Sequence, residues 1–246
     1  QCKPVYAVSQ TLLTGIRPKC LSKTAAGWSQ AKPVYLLSDK ATIWAYYPYN
    51  QAVADGTKVP VPINAGTSVD YMWGKSTNQV SVIETDAVIP MKHALSQLVI
   101  RLKVSPEYHN DGNLTSAKLK SKAAKFGTSG TMNLNDNGRI IFSPTSTELS
   151  WTPNTTIPAQ GNPSVDFAAA IYPMSLASGE VSMEVVIDGA TYTYSIPQIS
   201  WEAGKRYIYS ITMRSNDAEI GGENGQSVTI EPWGSSESDV TLVPVK

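Results

Sequence analysis

The side chains that most often carry out chemistry in proteins are scarce in this sequence. It contains two histidines, His93 and His109, and two cysteines, Cys2 and Cys20. It has no Gly-x-Ser-x-Gly nucleophile motif, no His-Glu-x-x-His motif and no cysteine pair at zinc-ligand spacing. Because no nucleophile, acid–base pair or ligand set is defined by a motif, we predict a protein that is not an enzyme. We also predict that it has no catalytic residue, no cofactor and no metal ion.

The two cysteines leave two interpretations open. A disulfide between Cys2 and Cys20 would close a loop at the start of the sequence and would suit an oxidising, extracellular environment. Two free, buried thiols would fit the same positions. One pair in a chain of 246 residues is not a disulfide framework.

Aromatic side chains are the second group with a possible function. The sequence has six Trp and twelve Tyr but only three Phe, so most of its rings carry a polar atom. Such rings can stack on sugars, and they can also pack in a core while the polar atom finds a partner. Packing in a β-sandwich is one hypothesis. The other is a glycan-stacking platform formed by Trp44, Tyr47, Tyr71 and Trp73.

The overall composition narrows the class of partner. Lys plus Arg and Asp plus Glu both number 20, so the formal net charge is zero. A nucleic-acid-binding protein usually has a basic excess, and we therefore predict no nucleic-acid partner. Charged residues make up 16% of the chain, below the roughly 25% typical of soluble domains. Many strands joined by polar turns have this composition.

The elements that would position these side chains are predicted to be β-strands. Apolar residues either alternate with polar ones or form short continuous runs, bounded by turn residues. Asp188-Gly189 separates two such runs, 181–187 and 191–196, and predicts a hairpin. Residues 117–125 are the one competitor for a helix, but their alternating lysines favour a strand. The other runs span residues 5–13, 34–37, 42–49, 59–63, 80–89, 95–104, 114–119, 139–142, 165–172, 207–213, 228–230 and 240–245.

We therefore predict an all-β protein. About fourteen short strands are too many for one small sandwich and suit two of about seven strands each. The best boundary lies near Pro90, where one strand run ends before another begins. The predicted domains are residues 1–90 and residues 91–246, the second with a possible donor-strand tail at 234–246.

Five stretches, taken in order, resemble the fimbrillin family, the two-domain type V pilins of Bacteroides-type bacteria. One is the Ala-Tyr-Tyr-Pro-Tyr strand, and another is the Trp-Glu-Ala-Gly-Lys-Arg-Tyr hairpin that precedes a long strand. The five stretches are residues 42–49, 70–76, 91–98, 201–207 and 227–233.

The resemblance implies a fold of two transthyretin-like β-sandwiches and a structural or adhesive role in cell-surface fimbriae, reached by secretion through the outer membrane. It implies other pilin subunits as partners, joined by β-strand exchange. Host or bacterial surface glycans or proteins are further possible partners. Removal of an N-terminal strand in this family makes Arg17 a possible processing site, although Pro18 disfavours cleavage there. A surface glycan-binding β-sandwich module is the alternative function.

The C-terminal segment fits strand exchange. Residues 234–239 read as a flexible linker, spanning at most roughly 20 Å. The segment after it is apolar on both faces, as in a strand buried on both sides. We expect it to be a donor strand for the next subunit, or else the last strand of its own domain. Its apolar residues are Val240, Leu242, Val243 and Val245.

Overall fold

The computed structural model describes residues 21–24, 27–30, 40–63, 69–84, 86–106, 108–157, 164–213, 218–220, 228–233 and 240–242. Within them the chain is all-β, which confirms the predicted fold class. One short 3-10 helix, Leu134–Asp136, interrupts the strands. The strands are β1 (Leu21–Thr24), β2 (Gly27–Gln30), β3 (Trp44–Tyr47), β4 (Val59–Pro62), β5 (Met72–Lys75), β6 (Ala87–Ile89), β7 (Met91–His93), β8 (Ser96–Val104), β9 (Gly112–Ser121), β10 (Ser129–Asn133), β11 (Arg139–Phe142), β12 (Glu148–Trp151), β13 (Thr155–Ile157), β14 (Val165–Ile171), β15 (Met174–Leu176), β16 (Val181–Ile187), β17 (Ala190–Ser195), β18 (Ile199–Trp201), β19 (Lys205–Met213), β20 (Ala218–Ile220), β21 (Thr229–Pro232) and β22 (Val240–Leu242).

Two five-stranded sheets contain most of the described strand residues. One has the order β12-β9-β16-β17, with β13 also on β9, and the other has the order β14-β8-β19-β20, with β21 also on β19. The β8–β19 pair is parallel and the other pairs are antiparallel. Alternate residues of β16 (Val181, Met183, Val185, Ile187) are buried with the apolar residues of β8 and β19 in one core. Two sheets facing each other across a shared core are a β-sandwich.

Strands from the first ninety or so residues lie mainly in smaller sheets. The strands β3, β5 and β7 form one antiparallel sheet in the order β3-β5-β7. A second has the order β11-β10-β4, so the β10–β11 hairpin adds to a strand seventy residues upstream, for example with Gly130 opposite Val61. A second buried cluster contains residues from both sides of position 90, which we call the first segment (before it) and the second segment (after it). Its members include Tyr46, Trp73, Met132 and Tyr172. The division at residue 90 stays a prediction, and these contacts join the two segments.

The predicted hairpin turn at Asp188-Gly189 is confirmed, and so is the strand character of residues 117–121. Asp188 and Gly189 have φ values of 49° and 81° and connect β16 to β17 with Ile187 opposite Ala190. Positive φ at both turn residues is typical of the tight turns of two-residue hairpins. Residues 117–121 lie in β9 and not in a helix, and Lys118 and Lys120 pair with Glu148 and Glu184 on neighbouring strands.

One predicted strand is wrong in extent. Residues 80–89 read as one continuous run, but only Ala87–Ile89 form a strand there. The Ser81 hydroxyl accepts hydrogen bonds from the N–H groups of Ile83 and Glu84, at 3.3 and 3.2 Å. A serine that satisfies the next backbone donors makes a turn in place of a strand, and this turn leaves Ile83 on the surface.

An ion pair across β8 and β14 predicts an acid-sensitive contribution to stability. Arg101 Nε and Nη2 each donate to the Asp166 carboxylate at 2.8 Å. Hydrogen bonds from Arg101 lower the pKa of the Asp166 carboxyl, and burial opposes them more weakly. A carboxyl whose folded pKa is lowered stabilises the fold above its unfolded pKa of about 3.9, and this contribution is lost as pH falls through the folded pKa.

We therefore expect Asp166→Asn to be less stable than the native chain at neutral pH and to lose less stability on acidification. Chemical denaturation at neutral pH and at several acidic pH values measures both quantities. Parallel acid profiles for the two chains would contradict the assignment.

Candidate functional site

The pairing of β22 with β6 is the feature most relevant to assembly. The backbone of Val240, Thr241 and Leu242 lies antiparallel to Ile89, Val88 and Ala87. The segment that the sequence predicts as a donor strand is thus a strand at its first three residues, paired within its own chain. Whether it is donated to a neighbour stays a prediction. The opposite edge of β6 contacts residues 77–78, where the Thr77 N–H donates to the Val88 carbonyl at 3.0 Å.

The hydrogen bonds of Val88 show which groups of β6 face β22. Val88 uses both its N–H and its carbonyl on the other side, since its N–H donates to Asn78 Oδ1 at 3.3 Å. Alternate residues of an antiparallel strand direct their backbone groups to opposite neighbours. The N–H and C=O groups of Ala87 and Ile89 therefore face β22. Their side chains are buried, while 37% of Val88 is exposed.

The buried side chains of β6 pack in a small apolar cluster. It contains Ala41, Ala45, Val80, Ala87 and Ile89, all fully buried. Gly74 of β5 is required beside it, because a Cβ at this position would lie 2.6 Å from the Pro90 carbonyl oxygen and 2.8 Å from Ile89 Cγ2. The missing side chain at Gly74 lets β5 lie directly against the end of β6. β6 pairs with β22 along the edge opposite to the one that contacts residues 77–78.

A polar and aromatic contact joins His93 of β7 to Asp70, which precedes β5, and to Trp233, which follows β21. His93 Nδ1 lies 2.8 Å from Asp70 Oδ1, and the His93 ring stacks on Trp233 with centroids 4.6 Å apart and planes 9° apart. The Trp233 N–H donates to the Gly204 carbonyl at 2.8 Å. His93 thus lies in a junction between β7 and the end of β21, which is a structural position.

The aromatic residues proposed for glycan stacking divide into two pairs. Tyr71 and Trp73 are buried, at 7% and 9% exposure, and belong to the second core cluster. Trp44 and Tyr47 are half-buried on β3, and the Lys75 ammonium lies 5.6 Å from the Trp44 ring centroid. The four side chains do not form one exposed platform. A stacking role for any of them stays a prediction.

Several predicted residues fall outside the described part of the chain. These are Cys2 and Cys20 of the possible disulfide, the possible processing residue Arg17, and Val243 and Val245 of the expected donor strand. Their roles stay predictions. Within the described ranges, no group of three or more His, Cys, Asp or Glu could hold a metal ion. No helix in those ranges is long and apolar enough to cross a membrane.

Sequence reasoning missed the residues that lock the β10–β11 hairpin onto the first segment. Tyr172 follows β14, yet its hydroxyl donates to the Val61 carbonyl and its ring stacks on Phe142 with centroids 4.5 Å apart. Gly130 is required there, because a Cβ would lie 2.9 Å from the Tyr172 ring. No local pattern predicts a contact between residues so distant in sequence. Residues 129–133, which form β10, were also not among the predicted strands.

The chain belongs to the fimbrillin-like family, whose sequence profile matches residues 10–233. The chain is thus a fimbrial structural or adhesive protein. A search of curated proteins finds no match.

Solved structures share the fold at low sequence identity. A putative cell adhesion protein of Bacteroides uniformis superposes with a TM-score of 0.67 at 17% identity, covering 95% of this chain and 93% of that one. One from Bacteroides ovatus gives 0.63 at 19% identity, with 89% and 79% covered. The C-terminally truncated tip fimbrial protein Mfa3 of Porphyromonas gingivalis gives 0.51 at 10% identity, with 84% and 88% covered.

Proposed function

We propose that this protein is a subunit of cell-surface fimbriae that joins its neighbours by exchanging the C-terminal strand. Its partners are other pilin subunits, of the same or another kind. We further propose that it consists of two transthyretin-like sandwiches, with the β10–β11 hairpin of the second segment completing the first. The pairing of β22 with β6 is the observation that carries the proposal.

Because β22 pairs through its main chain, the same strand can pair with β6 of a neighbouring subunit. The contact between β22 and β6 uses backbone N–H and C=O groups that every subunit presents in the same arrangement. Six residues, 234–239, separate β22 from the last described residue before it and span at most about 20 Å when extended. Exchange of the strand between two subunits replaces one set of hydrogen bonds with an equivalent set and adds the contact between subunits.

Deletion of residues 234–246 should give a folded chain that no longer polymerises through this strand. The strand supplies the intersubunit hydrogen bonds, and the described residues of the two large core clusters all lie before residue 234. Size-exclusion chromatography, negative-stain microscopy and SDS-resistant ladders measure assembly, and circular dichroism with thermal melting measures folding. If the truncated chain unfolds, the strand is an intrinsic part of its domain and the proposal is wrong.

Two proline variants give a sharper test. The N–H of Leu242 faces β6, since Leu242 lies opposite Ala87, whereas Thr241 lies opposite Val88 and its N–H faces away. We expect Leu242→Pro to abolish assembly and the matched control Thr241→Pro to retain most of it, because proline is tolerated where no hydrogen bond is required. Equal assembly by both variants would show that β22 does not pair through its backbone.

A further inference from the structure

The strand β17 is an edge of the larger sandwich that lacks the usual protection against pairing. In the sheet order β12-β9-β16-β17 it is the terminal strand, and among the described strands it pairs with β16 alone. Natural sheets protect their edges with charged residues, prolines or bulges. The six residues of β17 are Ala190, Thr191, Tyr192, Thr193, Tyr194 and Ser195, with no charge and no proline.

Several other edge strands in the described ranges carry such protection. The edge strand β4 has Pro60 and Pro62, β11 begins with Arg139, and β12 begins with Glu148. Among the described strands, β17 is the longest edge without a charge or a proline. Its composition of Thr and Tyr also favours strand pairing.

The hydrogen bonds of the hairpin show which groups of β17 are free. Ile196 N–H donates to the Val181 carbonyl at 2.9 Å, so Ile196 faces β16. By alternation, Tyr194 and Tyr192 also direct their backbone groups to β16. The N–H and C=O groups of Thr191, Thr193 and Ser195 therefore face away from the sheet. The side chains of these three residues are exposed as well.

We propose that β17 pairs with β17 of a second copy of this chain, antiparallel and about a two-fold axis at Thr193. In this register Thr193 lies opposite Thr193 of the partner subunit, and Thr191 lies opposite Ser195 of the partner subunit. The outward N–H and C=O groups then satisfy one another in about six hydrogen bonds. A two-fold contact of this kind uses the same surface on both copies and stops at a dimer.

The side chains explain why a second copy is the occupant. A homotypic contact places like residues close together, so a charge in the strand would meet the same charge. β17 has none. On the exposed face the pairs are Thr with Thr and Thr with Ser. On the other face Tyr192 lies opposite Tyr194 of the partner subunit, and hydroxyl and aromatic cross-strand pairs of these kinds are favourable.

This contact goes beyond the proposed function and does not depend on it. Exchange of β22 links subunits through the β6 edge of the first segment. Pairing through β17 joins subunits side by side through the larger sandwich. Variants at residue 193 should therefore leave the tail-dependent assembly unchanged, and the tail variants should leave the β17 contact unchanged.

Charge substitution at the two-fold axis tests the proposal. We expect the purified full chain to form a dimer in sedimentation velocity runs over a wide concentration range. Thr193→Lys and Thr193→Glu should each raise its dissociation constant about tenfold or more, because like charges then face each other. An equimolar mixture of the two variants should recover the dimer, since opposite charges meet. This recovery would not follow from a general loss of stability.

The matched control is Ser150→Glu. Ser150 is an exposed residue of β12, the edge strand on the far side of the same sheet, and lies opposite Lys118. We expect this variant to dimerise like the native chain. A native chain that remains free of a side-by-side dimer at every concentration, or a dimer that the residue 193 variants do not weaken, would overturn the proposal.

Discussion

Tyr172→Ala should lower the free energy of unfolding by about 4 kcal/mol, within the range of roughly 3–5 kcal/mol seen when large buried aromatic side chains are truncated. Tyr172 is fully buried, stacks on Phe142 and donates a hydrogen bond to the Val61 carbonyl. Burial also raises the pKa of its hydroxyl, so the group stays a neutral donor over the physiological range. Urea denaturation followed by tryptophan fluorescence measures the change.

The control for Tyr172 is the phenylalanine variant. Tyr172→Phe keeps the ring in its place and removes only the hydroxyl, which leaves one carbonyl acceptor without this donor. We expect it to cost about 1–2 kcal/mol, in line with the loss of one buried hydrogen bond. Similar losses for the two variants would mean that the cavity at this position collapses and that the ring adds little.

Gly138→Ala should destabilise the fold by about 3 kcal/mol or more, since it combines backbone strain with overpacking. Gly138 has a φ of +68°, and a Cβ there would lie 2.1 Å from Trp73 Cδ1. The tip of the β10–β11 hairpin therefore rests directly on the Trp73 ring, and the methyl group must displace one of them. Urea denaturation measures the loss.

A second glycine provides a matched control for the backbone strain. Gly189 has a φ of +81° in the β16–β17 turn, and a Cβ there would meet no atom within 4 Å. Gly189→Ala should thus show the cost of the left-handed backbone alone, about 1–2 kcal/mol. The difference between the two variants isolates the contact with Trp73. Equal losses at the two glycines would show that the hairpin tip can move away from the ring at little cost.

The parts of the fold that depend on neighbouring residues followed from the sequence. The Asp188-Gly189 turn, the alternation of β16 and the strand character of β9 all result from preferences that act within a few residues. The limit of this reasoning is visible at residues 80–89. There the apolar pattern predicts one strand, but the Ser81 hydroxyl binds the following N–H groups and makes a turn.

The candidate site was less accessible to sequence reasoning. The aromatic groups at residues 44–47 and 71–73 are conspicuous, yet their composition does not say which rings are buried. Trp73 is covered by Gly138, which lies on a hairpin sixty-five residues away, and Tyr71 belongs to the same core cluster. Burial depends on which distant strand covers a ring.

The sequence by itself determined the all-β class, the turns and the fimbrillin-like signature, because alternation, turn residues and short motifs are local properties. Only the tertiary structure decided which of the described strands pair across the chain: β10 with β4 and β22 with β6, while β17 is left at an edge beside β16. Backbone hydrogen bonds are the same for every residue type, so they do not encode a partner. The choice is made by the packing of Tyr172 on Gly130, of Gly138 on Trp73 and of Gly74 beside Ile89, which exists only once the strands meet.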